Sequence, residues 1–212
     1  MRHIDFYFDV ISPYAYLAFH ALPQALQGHS VTVTHRPMVF GAVLQHLGQL
    51  GPAEIPGKRD WTYRQVLWLA HQRGLPLKMP ASHPFNSLAL MRLATACDAN
   101  GTPNRHVVGR LFEHVWTTGE EASDPDRLAQ LTASLKPLRD PQSDEVKLAL
   151  RQQTEEALKA GVFGTPSMVV DGQVFWGNDA LPMLSAYLSG DPWFNQPEWQ
   201  AVSDWSVGIR RR

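Results

Sequence analysis

The sequence predicts an α/β fold in which two strand-containing ends enclose a long helical block. Both ends of the chain contain short runs that alternate apolar and polar residues, as strands do, whereas the residues between them repeat apolar positions at helical spacing. The chain has 212 residues, of which 44% are hydrophobic and 18% are charged. These values are ordinary for one folded domain, or for a domain with a large insertion, and they exclude wholesale disorder.

The first 38 residues predict a β-α-β unit. Residues 3–10 alternate and are rich in aromatic side chains, which is typical of a strand. Ser12 and Pro13 indicate the start of a helix over 14–22, because serine caps exposed backbone amides and proline at the first helical position needs no amide partner. Residues 31–36 alternate again, and a strand reached through a helical crossover is expected to lie parallel to the first.

The residues from 41 to 140 predict an all-helical insertion. Glycines and prolines separate several amphipathic candidates there, and a longer helix that ends at Gly161 follows the insertion. The predicted helices cover residues 61–71, 87–99, 105–117, 126–135 and 142–160.

The C-terminal part predicts a hairpin, a last helix and a tail. Asp171 and Gly172 separate two short strand-like runs, which is a strong signal for a hairpin turn. A helix is predicted over 180–188. Residues 191–212 contain three tryptophans and predict an irregular tail that lies over the surface or against a partner subunit.

Together these elements predict a thioredoxin-like sheet with a large all-helical insertion. We expect a discontinuous thioredoxin-like domain at 1–40 and 141–190, a helical insertion domain at 41–140 and a C-terminal tail at 191–212.

The charge balance argues against a nucleic-acid partner. Lys and Arg total 19 and Asp and Glu total 20, so the formal net charge is −1. A near-neutral chain lacks the positive field that attracts phosphate backbones. We interpret the three arginines at 210–212 as a solvated tail.

A single cysteine, Cys97, excludes a disulfide framework, a cysteine zinc cluster and a Cys-x-x-Cys redox pair. Asp5 and Asp9 interrupt the N-terminus, so we predict no signal peptide, and no uncharged apolar run reaches the ~20 residues of a membrane span. The nine histidines show no metal-ligand spacing. We therefore expect a cytoplasmic protein without a metal ion or membrane contact.

Ser12 is the candidate catalytic residue. It is expected where the first strand gives way to the first helix, so its hydroxyl lies beside unpaired backbone amides and the positive end of the helix dipole. Such a position favours a thiolate, whereas no sequence feature supplies a base that would activate serine as a nucleophile. We interpret Ser12 as a residue that holds the sulfur of another molecule. A plain helix N-cap is the alternative.

Two later segments are expected to complete the site. Pro166 stands before a short strand, where a cis peptide bond is expected, although an ordinary strand-initiating proline is the alternative. In a thioredoxin-like sheet this loop lies opposite Ser12, and Thr165 can pair with an extended peptide. Asn178 and Asp179 can cap the last helix, and Asp179 can also bind a ligand ammonium group.

Three ordered motifs carry a family resemblance. They are Phe6-Tyr7-Phe8-Asp9 with Ser12-Pro13-Tyr14-Ala15-Tyr16-Leu17, then Gly161-Val162-Phe163-Gly164-Thr165-Pro166, and finally Trp176-Gly177-Asn178-Asp179. Together they resemble the 2-hydroxychromene-2-carboxylate isomerases and the related kappa-class glutathione transferases. The likeness covers the chain to about Leu188, and it implies a DsbA-like fold, usually dimeric, that binds glutathione.

The resemblance also implies a role for each motif. The serine that matches Ser12 holds the glutathione sulfur, and Thr165, before the cis Pro166, pairs with the cysteinyl backbone. The segment Trp176-Gly177-Asn178-Asp179 receives the γ-glutamyl end. Departures from the family pattern fall in the substrate loop. The resemblance implies that Gln49 replaces an asparagine and that His83 replaces an aromatic contact, so these two residues are the candidates for substrate contact.

The isomerases convert 2-hydroxychromene-2-carboxylate, from naphthalene-type aromatic catabolism, to trans-o-hydroxybenzylidenepyruvate. Reversible addition of a thiolate turns a conjugated double bond into a single bond that rotates freely, and elimination restores it. The resemblance thus implies a glutathione-dependent isomerase with a small aromatic substrate. Two alternatives stay open. One is a kappa-type transferase or peroxidase that acts on another electrophile, and the other is a non-catalytic glutathione- or peptide-binding module in which Ser12 is only a cap.

Overall fold

A four-stranded sheet organises the computed structural model, which describes residues 1–206 and 208. Strand β1 (Arg2–Phe8) is central and pairs in parallel with β2 (Val31–Pro37). On its other side β1 pairs antiparallel with β3 (Ser167–Val170), which continues antiparallel to β4 (Gln173–Trp176). The order β2-β1-β3-β4 confirms the predicted thioredoxin-like sheet and the predicted hairpin.

Successive side chains of β1 contribute to different hydrophobic clusters, as the pleat of a strand requires. Phe6 and Phe8 lie in the main core together with residues of α1 (Pro13–Ala25). Tyr7 lies in a smaller cluster that includes residues of α7 (Asp144–Lys159). The sheet is therefore covered by helices on both faces.

The helices between β2 and α7 share the core of the sheet. The ring of Phe112 lies 5.7 Å from that of Phe8 and 5.3 Å from that of Phe19, which belongs to α1. One continuous apolar cluster thus joins the helical block to β1. The proposed boundaries of the insertion, 41–140, remain a prediction. The helices of the block are α2 (Phe40–Leu47), α3 (Pro56–Gln72), α4 (Leu88–Ala96), α5 (Arg105–Trp116) and α6 (Pro125–Leu135).

Helix α8 (Leu181–Leu188) packs against α1, and short helical turns follow it. The prediction of an irregular tail is wrong for residues 192–204. They form a 3₁₀ turn, the short helix α9 (Pro197–Gln200) and a second 3₁₀ turn. Prolines at the first positions of two of these turns preset the helical φ. Phe194 is buried against Tyr187 of α8, with ring centroids 5.2 Å apart. The arginines at 210–212 lie outside the described residues.

Several boundaries differ from those predicted, and the structure gives a physical reason for two of them. Strand β1 ends at Phe8 rather than at residue 10, because the side chain of Asp9 binds backbone amides and draws the chain away from the sheet. Helix α3 begins at Pro56 rather than at Trp61, because a proline starts the helix before its apolar spacing begins. Within residues 1–206 and 208, no helix is long and apolar enough to cross a bilayer.

Candidate functional site

Ser12 lies between β1 and α1 and is the N-cap residue of α1. Its Oγ accepts a hydrogen bond from the Ala15 N–H over 3.2 Å and donates one to the Thr165 carbonyl oxygen over 3.0 Å. The residue is only 7% exposed. Ser12 is thus a helix cap that also makes a second bond, to the loop before β3, which capping alone does not require.

The Thr165–Pro166 peptide bond is cis, at the position where the sequence predicts it. Thr165 Oγ1 accepts a hydrogen bond from the Asp9 N–H over 3.2 Å, while the Thr165 carbonyl accepts the one from Ser12. The loop is therefore attached to both ends of the turn that connects β1 to α1. The structure brings Ser12 and Thr165 into direct contact.

The segment after β4 lies beside this loop. The Gly177 N–H donates to the Pro166 carbonyl oxygen over 2.9 Å. Gly177 has a φ of 97°, a conformation that favours glycine. Asn178 is buried, and its Oδ1 accepts a hydrogen bond from Arg73 Nη1 over 2.8 Å. Arg73, the C-cap residue of α3, thus holds this segment.

Asp179 is the exposed carboxylate of this segment. Burial raises the pKa of Tyr14, and the charge of Asp179 acts in the same direction, so this carboxylate lies near the first turn of α1. The Tyr14 hydroxyl donates to Gln65 Oε1 over 2.5 Å. The prediction that Asn178 and Asp179 cap the last helix is wrong. Both residues lie in a 3₁₀ turn, and the N-cap residue of α8 is Ala180, which makes no side-chain cap hydrogen bond.

Trp176 forms an exposed aromatic pair with Phe163. The ring centroids are 5.0 Å apart, and the two residues are 54% and 42% exposed. The Trp176 indole lies against Gly164, where an added Cβ would collide with it. The absence of a side chain at Gly164 therefore allows this aromatic pair to form next to Thr165.

Asp9 is fully buried and shapes the turn before Ser12. Its carboxylate accepts hydrogen bonds from the N–H groups of Ile11 (3.1 Å) and Phe40 (2.9 Å) and from the hydroxyl of Ser87 (3.0 Å). Burial raises the pKa of Asp9 to about 6, while these donors act in the opposite direction. Asp9 was not predicted as a site residue. The signal that could have found it is a carboxylate directly after an apolar strand, since a buried carboxylate requires donors.

Two aromatic side chains of the helical block bind the carbonyls of this turn. Trp116 Nε1 donates to the Val10 carbonyl oxygen over 2.9 Å, and His83 Nε2 donates to that of Ile11 over 2.8 Å. Because a carbonyl only accepts, Nε2 of His83 carries a proton and the neutral ring can accept at Nδ1 from the Tyr63 hydroxyl, 2.7 Å away. Burial lowers the pKa of His83 and favours this neutral form. His83 therefore supports the turn.

The second candidate for substrate contact, Gln49, lies after the end of α2 and is exposed. Its N–H donates to the Leu44 carbonyl oxygen over 2.9 Å. The predicted contacts of Gln49 and His83 with a substrate remain predictions.

No cluster of three or more His, Cys, Asp or Glu residues suited to a metal ion occurs within residues 1–206 and 208. Cys97 is partly buried, and burial raises its pKa to about 11. Its thiol is therefore protonated near neutral pH. The polar groups near Ser12 include its hydroxyl, backbone groups of the cis-proline loop and the exposed carboxylate of Asp179.

Comparison with known proteins agrees with this geometry. A family model described as a DSBA-like thioredoxin domain matches residues 3–189. The chain is 30% identical to the 2-hydroxychromene-2-carboxylate isomerase of Sphingobium xenophagum over 199 residues, which cover 88% of this chain and 98% of that protein. It is 27% identical to glutathione S-transferase kappa 2 of Caenorhabditis elegans over 206 residues, covering 88% and 91%. A solved structure of a 2-hydroxychromene-2-carboxylate isomerase matches with a TM-score of 0.75 at 25% identity, covering 97% of this chain and 100% of that one. The chain therefore belongs to the DSBA-like thioredoxin family, within the group that contains the 2-hydroxychromene-2-carboxylate isomerases and the kappa-class glutathione transferases.

Proposed function

We propose that the protein is a glutathione-dependent isomerase that converts 2-hydroxychromene-2-carboxylate to trans-o-hydroxybenzylidenepyruvate. The observation that carries the proposal is the position of Ser12 Oγ, at the N-terminus of α1 and 3.0 Å from the carbonyl oxygen of Thr165 on the cis-proline loop. The names of the isomerase relatives supply the substrate and the type of reaction, and the family resemblance supplies the product.

The residues of the site fit glutathione. A thiolate at Ser12 is favoured by the hydroxyl and by the positive end of α1, a helix of 13 residues. The carbonyl of Thr165 is an acceptor for the cysteinyl N–H. The exposed carboxylate of Asp179 suits the γ-glutamyl ammonium group, and the rest of its segment, Trp176, Gly177 and Asn178, lines that end of the ligand.

The hydroxyl of Ser12 has one hydrogen, which is directed to the Thr165 carbonyl oxygen. To donate to a sulfur atom, the hydroxyl rotates and releases this bond, while the bond from the Ala15 N–H can persist because it uses a lone pair of Oγ. The Thr165 carbonyl is then free to accept the cysteinyl N–H. Ligand binding thus replaces one internal hydrogen bond with two bonds to the ligand.

Bound glutathione supplies a thiolate whose reversible addition to the substrate permits rotation about a conjugated double bond. The contribution of the chain is to lower the thiol pKa through Ser12 and α1. Asp9, His83 and Trp116 fix the turn that carries Ser12, so the Oγ atom is in position before the ligand binds and only its hydrogen reorients.

A kappa-type transferase or peroxidase is the second candidate, because the kappa-class relatives match the chain over the same length. It would use the same glutathione site with a different electrophile.

We further propose, from the family resemblance, that the protein acts as a cytoplasmic homodimer.

The test is the ultraviolet time course of 2-hydroxychromene-2-carboxylate with the protein, with and without glutathione. We expect conversion to the open-chain trans isomer that requires glutathione and that S-methylglutathione, which has no free thiol, does not support. Conversion without glutathione would contradict the proposal. No conversion together with glutathione binding by calorimetry would favour the transferase, and no glutathione binding would contradict both.

A further inference from the structure

A groove of about 360 Å³ lies between α2, α4 and α7, and none of the Ser12 site residues lines it. Its floor is apolar and is formed by Val39, Leu88, Leu150 and Leu158. The volume is at the small end of the roughly 300–1,000 Å³ of ligand sites, which suits a compact ring system better than a long lipid chain.

The rim of this groove is basic. Arg92, Lys147 and Arg151 line it, and Glu155 is its one acidic lining residue. Lys147 and Arg151 each have a carboxylate partner within 3.0 Å along α7. Arg92 has no ion-pair partner among the described residues. Its Nη1 reaches Gln142 Oε1 only at 3.4 Å, and its Nε is buried without a hydrogen-bond partner.

The Arg92 guanidinium is unfavourably placed without an anion, since its buried Nε donor has lost water and gained no partner. A planar carboxylate would satisfy two of its N–H donors at once. We propose that this groove binds a small aromatic carboxylate, whose rings lie on the leucine floor and whose carboxylate pairs with Arg92. This inference does not depend on the reaction proposed above.

Both walls of the groove are connected to the turn before Ser12. Leu88 follows Ser87, whose hydroxyl donates to Asp9, and Val39 precedes Phe40, whose N–H donates to the same carboxylate. A ligand that moves either wall therefore changes the hydrogen bonds of Asp9. We expect the hydrogen exchange rate of the Phe40 amide to change when the groove is occupied.

The experiment compares 1-naphthoate with its neutral analogue 1-naphthamide, titrated into the full chain by calorimetry. Loss of one charge-assisted hydrogen bond corresponds to about a tenfold change in Kd, so the acid should bind at least about tenfold more tightly than the amide. Arg92→Gln should remove this preference. Ala42→Trp, at an exposed position that lines the groove, should block binding of both compounds while it leaves Arg92 in place. Arg110→Gln is the control, because it also removes one arginine charge but lies outside the groove. This variant should bind 1-naphthoate as tightly as the wild type does.

Saturable binding that prefers the acid and is lost in Ala42→Trp supports the proposal, even if Arg92→Gln fails to fold. Equal affinity for acid and amide would overturn it, as would the absence of saturable binding. Acid binding that persists in folded Arg92→Gln and Ala42→Trp would place the ligand elsewhere and overturn it. A dimer in analytical ultracentrifugation that Ala42→Trp dissociates would assign the groove to a second copy and also overturn it.

Discussion

Replacement of Ser12 by alanine should preserve the fold and remove most of the stabilisation of a bound thiolate. The hydroxyl is the side-chain donor placed at the N-terminus of α1, and it is 3.0 Å from Thr165, where the cysteinyl part of glutathione is proposed to lie. A hydrogen bond to an ionised acceptor contributes about 1.5–3 kcal/mol, and one pKa unit corresponds to about 1.4 kcal/mol. The pKa of the bound glutathione thiol should therefore rise by about 1 to 2 units.

The ultraviolet absorbance of the thiolate, followed against pH in glutathione-saturated protein, measures this pKa. Ser143→Ala is the matched control, because Ser143 caps α7 and its Oγ accepts from the Val146 N–H over 3.3 Å. Both variants lose a helix cap, about 1 kcal/mol of stability, but only Ser12 contacts Thr165. An unchanged thiol pKa with full activity in Ser12→Ala would refute the reasoning and leave Ser12 as a cap.

Asp179→Asn should weaken glutathione binding by about threefold to tenfold, because the γ-glutamyl ammonium loses its carboxylate partner. Calorimetry measures this, and Asp126→Asn, at an exposed position in the first turn of α6, should bind as the wild type does. Gly177→Ala should lower the free energy of unfolding in urea by about 1–2 kcal/mol, because Gly177 has a φ of 97° and a Cβ there would meet the Asp179 carboxylate. Gly57→Ala, where no atom lies within 4 Å of the added Cβ, should cause no such loss. Asp9→Asn should alter the pH dependence of stability. Burial raises the pKa of Asp9 from 3.8 to about 6, so the folded state binds the Asp9 proton more tightly than the unfolded state does. This proton stabilises the wild type at low pH, and the contribution is lost as the pH rises through the folded-state pKa. The difference in unfolding free energy, wild type minus variant, should fall by about 2 kcal/mol between pH 4 and 6, and a constant difference would contradict the raised pKa.

The sheet could be predicted because its signals are local. The alternation of residues 31–36, the Ser12-Pro13 helix start and the Asp171-Gly172 turn each act within a few residues of the chain. Together with the handedness of β-α-β crossovers, they leave few possible topologies. The tail could not be predicted in the same way, because its helical turns depend on the burial of Phe194 against Tyr187, which sequence spacing does not reveal.

The supports of the Ser12 turn could not be predicted because they are distant in the chain. The donors to Asp9 include Phe40 and Ser87, which lie 31 and 78 residues away. His83, whose contact with a substrate remains a prediction, also donates to a backbone carbonyl of the turn. A histidine in a loop gives no indication of which carbonyl it will reach, so this supporting role could not be predicted from the sequence.

These supports explain why the helical block shares a core with the sheet. Once β1 ends at Phe8, the polar groups of the following turn lie in the interior and must find partners. Ser87, His83 and Trp116 provide them from the block, to Asp9, Ile11 and Val10 respectively. The Ser12 hydroxyl is different, since its present acceptor, the Thr165 carbonyl, can be exchanged for a ligand atom by rotation about a single bond. A rigid turn that carries one reorientable donor suits the thiolate-binding role proposed for Ser12, because only that hydrogen bond must break for the ligand to bind.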